Sequence, residues 1–112
     1  MRRATTLFIF TALMLPVAAL SARAVNDAQI AAIVVTANQV DIDAGKLAES
    51  SASDPQVKAF GKQMVTDHTG VNKQATELVT KLGVTPEDNA TAQSLKSGGA
   101  DNVKIWAEGR CV

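Results

Sequence analysis

Apolar residues recur at helical intervals between residues 54 and 82. Val57, Phe60, Met64, His68, Val71, Ala75, Leu78 and Leu82 follow one another in steps of three and four. Lys58, Lys62, Thr66, Lys73 and Glu77 fall between them. That spacing aligns one face of an α-helix. Asp54 followed by Pro55 starts it, because an aspartate caps free N–H groups and a proline at the first position has none to lose. Lys81 and Gly83 mark its end, as a last-turn cation and a left-handed cap. Phe60 and Met64 read as core residues of this helix. At about 1.5 Å per residue, it is roughly 40 Å long.

A second stripe precedes it. Ile30, Ile33, Ala37, Val40, Ala44 and Leu47 are also spaced by three and four. They predict a helix over Val25 to Ser51, capped by Asn26 or Asp27, with Gln29 three residues after Asn26 as in a capping box. Asp41 lies on the flank of the stripe, while Asp43, Lys46 and Glu49 face away. The polar break from Ser50 to Ser53 joins the two helices into a long antiparallel hairpin. After Gly83, the run Thr85-Pro86-Glu87-Asp88 carries start signals for a short third helix. Gly98-Gly99 then predicts a break. The fold class is therefore all-α. Two helices with one apolar face each cover each other only partly, and a bundle core draws on three or four such faces. Either a partner chain completes this core, or the sequence is part of a longer design.

The first residues change the picture of where the protein works. Arg2 and Arg3 precede an apolar run from Leu7 to Leu20, and Ala22-Arg23-Ala24 places small residues where a signal peptidase reads. The run is short for a membrane span of ~20 residues. Residues 1–24 thus read as a cleaved signal peptide, leaving no stable membrane span in an exported chain of the periplasm or cell envelope. The whole chain balances 11 basic against 11 acidic groups. The signal holds three of the basic ones, Arg2, Arg3 and Arg23, so the remainder is mildly acidic. Such a domain has no electrostatic attraction to nucleic acid. Cys111 is the only cysteine. It has no internal partner for a disulfide and no zinc-type spacing.

Two segments resemble a bacterial exported family. Ala28-Gln29-Ile30 through Asn38-Gln39-Val40-Asp41-Ile42-Asp43-Ala44-Gly45-Lys46-Leu47-Ala48 is similar to its first helix. Val57-Lys58-Ala59-Phe60 through Gln63-Met64-Val65-Thr66-Asp67-His68-Thr69-Gly70-Val71-Asn72 is similar to its second. Asp67-His68 with Asn72 four residues on is the most specific part. The family is a ferritin-like domain of unknown function, whose members are often labelled outer membrane or periplasmic proteins. The resemblance implies a four-helix bundle and two further helices carrying a second histidine. Residues 98–112, which hold the only tryptophan and the only cysteine, do not follow that continuation. Residues 25–97 therefore read as a partial ferritin-like domain, and 98–112 as an aberrant or disordered tail left by truncation or a frameshift.

His68 is the residue with the most chemistry. An inward imidazole can ligate a metal or move a proton, or simply be a satisfied core group. Asp41 can reach it across the hairpin, so His68 and Asp41 are the candidate metal ligands. Asn72, one turn along, can orient His68. The ferritin-like Glu-x-x-His pair is absent, since Val65 stands three residues before His68. The remaining partners of His68 are expected from outside this chain. With one histidine there is no nucleophile–base–orienter set, and no phosphate loop accompanies it, so neither catalytic nor cofactor-binding residues are assigned and no cofactor is expected. The sequence reading is an exported, non-enzymatic helical-bundle protein that self-associates through exposed helix faces. A metal-binding or oxidative-stress role is the first alternative, and a non-functional truncated product the second.

Overall fold

The computed structural model describes residues 24–109. They form three helices, α1 (Asp27–Ser51), α2 (Pro55–Lys81) and α3 (Ala90–Ala107). The all-α expectation holds. Arg110 to Val112, with Cys111, and the proposed signal up to Arg23 lie outside the described residues.

The ends of the hairpin follow from local chemistry. Asn26 Oδ1 accepts from the Gln29 N–H at 2.8 Å, and Gln29 Oε1 accepts from the Asn26 N–H at 3.3 Å, which closes the capping box. Asp54 Oδ1 accepts from the Gln56 N–H at 2.7 Å, ahead of a helix that begins at Pro55. At the far end, Gly83 turns left-handed with φ 66°. The Val84 N–H reaches Val79 C=O at 2.9 Å and the Gly83 N–H reaches Thr80 C=O at 3.1 Å. This pair of bonds is a Schellman ending, and it satisfies carbonyls the helix would leave open.

The third helix departs from the sequence reading in two places. It starts after Asn89, not at Thr85-Pro86. The residues before it are spent on a different task. The Glu87 N–H donates to Ala28 C=O at 2.9 Å, and Asn89 Nδ2 donates to Gln29 C=O at 3.1 Å. Asn89 Oδ1 also accepts from the Ala92 N–H at 3.1 Å, so one side chain caps α3 and fastens it to α1. In addition, α3 runs unbroken through Gly98-Gly99 to Ala107. Gly99 is needed there for space: a Cβ on it would lie 2.9 Å from Val40 Cγ1. Packing outweighs the helix cost of glycine, about 1 kcal/mol relative to alanine.

α1 is the middle helix. It packs against α2 and against α3, whereas α2 and α3 do not pack on each other. This arrangement decides the core. The buried positions of α1 are Ala31, Ala32, Thr36, Asn38, Ile42 and Gly45. They are mostly small, as close helix approach requires. Many large apolar residues of the two predicted stripes are left at the surface instead, while Ile33, Val40 and Leu47 are half-buried. Ile30 is exposed, Met64 is only half-buried, and Phe60 is 61% exposed, against the expectation that Phe60 and Met64 lie in a core. Leu78 and Leu82 are 56% and 65% exposed. Val40 of the first stripe packs on Gly99 of α3, and no described residue covers Phe60, Leu78 or Leu82.

Candidate functional site

A polar group of side chains sits in the α1–α2 seam. His68 projects from α2 toward α1, where its Nδ1 lies 2.7 Å from Asn38 Oδ1 and 3.5 Å from Asp41 Oδ2. Both neighbours are acceptors, so with Asn38 in this orientation Nδ1 carries the proton of the neutral ring and donates it. Nε2 is then the lone-pair nitrogen. Asn38 is buried, His68 half-buried and Asp41 more open, with side-chain exposures of 27% for His68 and 44% for Asp41. The expected approach of Asp41 to His68 is therefore present. The strongest partner of His68, however, is Asn38, and it comes from within the chain rather than from outside it. Asn38 escaped the sequence reading because asparagine is a weak signal. The clue available was its place three residues before Asp41, on the same side of α1.

Asn72 does not orient His68. Its Nδ2 donates to Val35 C=O on α1 at 3.2 Å, and its buried Oδ1 has no partner among the described residues. The seam thus has two interhelical polar ties one helical turn apart. The His68–Asn38 pair fixes the register of α2 on α1, because sliding either helix by one turn separates these two side chains. Among the described residues, no third histidine, cysteine, aspartate or glutamate joins His68 and Asp41 in a group able to hold a metal ion.

Beside the seam lies an apolar groove of about 410 Å³. α1 contributes Ala44 and Leu47, α2 contributes Val57, Phe60 and Met64, and α3 contributes Val103, Ile105 and Trp106. A second groove, about 620 Å³, crosses α1 and α3. Among its polar residues, Gln39 Nε2 donates to Asp43 Oδ1 at 2.9 Å, and Lys96 pairs with Asp88 at 3.6 Å. No helix among the described residues is long and apolar enough to cross a membrane.

The residues at hand therefore offer an oriented imidazole and an open apolar face, with no assembled set of reacting groups. No curated protein and no solved structure matches the chain. One family does: residues 12–104 match the model described as Domain of unknown function (DUF4142), and the chain belongs to that family.

Proposed function

We propose that this protein is an exported, non-enzymatic component of the periplasm or cell envelope, and that it works by helix–helix association through its open apolar face. The observation that carries this reading is the exposure of Phe60, Leu78, Leu82 and Trp106 on helices that are otherwise well capped and well registered. Phe60 and Trp106 line one apolar groove, and exposed apolar surface of that kind marks an interaction site. The charged start, apolar run and small-residue site in residues 1–24 support export. The native size of the protein in an envelope extract tests the reading. It should elute well above monomer mass, and Phe60→Glu should shift it to monomer. Elution at monomer mass in an unaltered extract ends the proposal.

A metal-binding or oxidative-stress role of the ferritin-like kind has one specific observation behind it. The hydrogen bond from Nδ1 to Asn38, with Asp41 behind, leaves the Nε2 lone pair of His68 available, which is how proteins orient a ligating histidine. Metal content of the purified protein beside His68→Ala tests it. Equal, negligible metal in both removes this reading.

A further inference from the structure

Resting on the metal-binding reading, we infer that His68 and Met64 of α2 form a two-ligand site for a soft monovalent cation, Cu(I) or its redox-inert counterpart Ag(I). Spacing is the first argument. The two residues stand four apart in an unbroken stretch of α2, so they share one face, with about 5–6 Å between their Cβ atoms. Two histidines at that spacing chelate a single zinc ion in metal-binding helices. Here a thioether takes the place of the first imidazole. Helical side chains lean toward the N-terminus, which carries the His68 ring toward Met64. The rotatable bonds of methionine let its sulfur turn back to meet the ring.

Asp41 locates the two side chains independently of helical phase. Its Oδ2 lies 3.5 Å from His68 Nδ1, and it lines the same groove as Met64. The carboxylate is thus close to both ligands, and its negative charge favours a cation there. The ring is also held in the form a ligand needs. Asn38 Oδ1 accepts the Nδ1 proton at 2.7 Å, which leaves the lone pair on Nε2. His68 and Met64 are both half-buried, so an ion can reach them from solvent.

Donor chemistry selects the metal. Zinc and iron(II) sites draw on histidine, cysteine and carboxylates. Among the described residues, no group of three or more such side chains is able to hold a metal ion. A thioether is a poor ligand for those divalent ions and a good one for Cu(I). Closed-shell monovalent ions of this kind accept as few ligands as a pair, so one sulfur and one nitrogen suffice where a divalent ion would stay under-coordinated.

The experiment titrates Ag(I), in chloride-free buffer, into the full chain carrying Cys111→Ser, so that its only thiol does not compete. Methionine ¹³C-methyl and histidine ring ¹⁵N spectra are followed together. The Met64 signal is assigned through Met64→Leu, a swap of similar volume that keeps the fold. The Met64 methyl and His68 Nε2 resonances should shift together and saturate at one equivalent, with Nδ1 keeping its proton. Met64→Leu and His68→Gln should each weaken Ag(I) binding about tenfold or more, the loss that even an outer partner of a metal ligand gives. Helical circular dichroism should stay unchanged in Met64→Leu. Methyl and ring signals that move independently overturn the paired site, as does unchanged Ag(I) affinity in Met64→Leu. If the His68 ring then still responds to Zn(II), the metal-binding reading stands without Met64. A His68 ring that responds to neither Ag(I) nor Zn(II) ends both.

Discussion

Gly45 and Gly61 meet backbone to backbone where α1 passes α2: a Cβ on either would lie 2.7 Å from the carbonyl oxygen of the other. The obstacle is main chain, so it cannot swing aside as a side chain would. Gly61→Ala must push the helices apart. Overpacking costs about 1–3 kcal/mol, of which the better helix propensity of alanine returns up to about 1 kcal/mol. A net loss of roughly 1–2 kcal/mol is expected in urea unfolding. Gly70 and Gly98 are the controls, because nothing lies within 4 Å of a Cβ placed on either. Gly98→Ala should stabilise by about 0.5–1 kcal/mol. Opposite signs for two glycine-to-alanine changes in the same fold are a sharp test of the crossing.

Asn38 should set the tautomer of His68. The wild-type ring is expected to carry its proton on Nδ1, which ring ¹⁵N chemical shifts report directly. Asn38→Ala removes the 2.7 Å acceptor. The ring should then shift toward the Nε2–H form, and stability should fall by about 1–2 kcal/mol for the lost partner of a part-buried donor. An unchanged tautomer would mean that Asp41 alone suffices.

Among the described residues, Asn72 makes one side-chain hydrogen bond and leaves one buried acceptor without a partner. These two terms oppose each other. A bond of this kind contributes about 1 kcal/mol, and an orphaned buried acceptor costs about 1–3 kcal/mol. Asn72→Leu is therefore expected to change the unfolding free energy by less than about 1 kcal/mol, far less than a typical buried-polar deletion. A large loss would show that Oδ1 is satisfied in solution by an ordered water.

Asn89 joins two jobs in one side chain. Asn89→Ala removes the N-cap of α3 and the bond to Gln29 C=O. Loss of a cap costs about 1 kcal/mol on average. The effect should be local: amide exchange in α3 should accelerate before that in the α1–α2 hairpin, because the hairpin closes without α3.

The hairpin was readable because its signals are short in range. Asn26 with Gln29, Asp54 with Pro55, and Lys81 with Gly83 act within four residues, and each falls where the structure ends a helix. The core was not readable in the same way. Periodicity reports where the large apolar side chains align, and here Phe60, Leu78 and Leu82 on that line are exposed. The faces that touch are built from Ala31, Ala32 and Gly45, with Asn38 and Ile42, and the small members leave little hydrophobic signal. Gly99 shows the same limit. Alone it predicts a break, and only Val40, from a helix about 60 residues earlier in the chain, explains why it is helical. His68 and Asp41 were legible as a pair because both stand at helical phase on facing stripes, but Asn38 was visible only once the register was known.

The anchoring of α3 on Ala28 and Gln29 sets how far the N-terminus can be shortened. Its two acceptors on α1 are main-chain carbonyls in the first turn of that helix. Side-chain changes at 28 and 29 leave the acceptors in place, yet no substitution can supply them if the chain is trimmed too far. Processing anywhere before Asn26 leaves both the capping box and the docking point of α3 whole. A cut only a few residues later uncaps α1 and unfastens α3 together. Among the described residues, α3 is thus tied to the very first turn of α1.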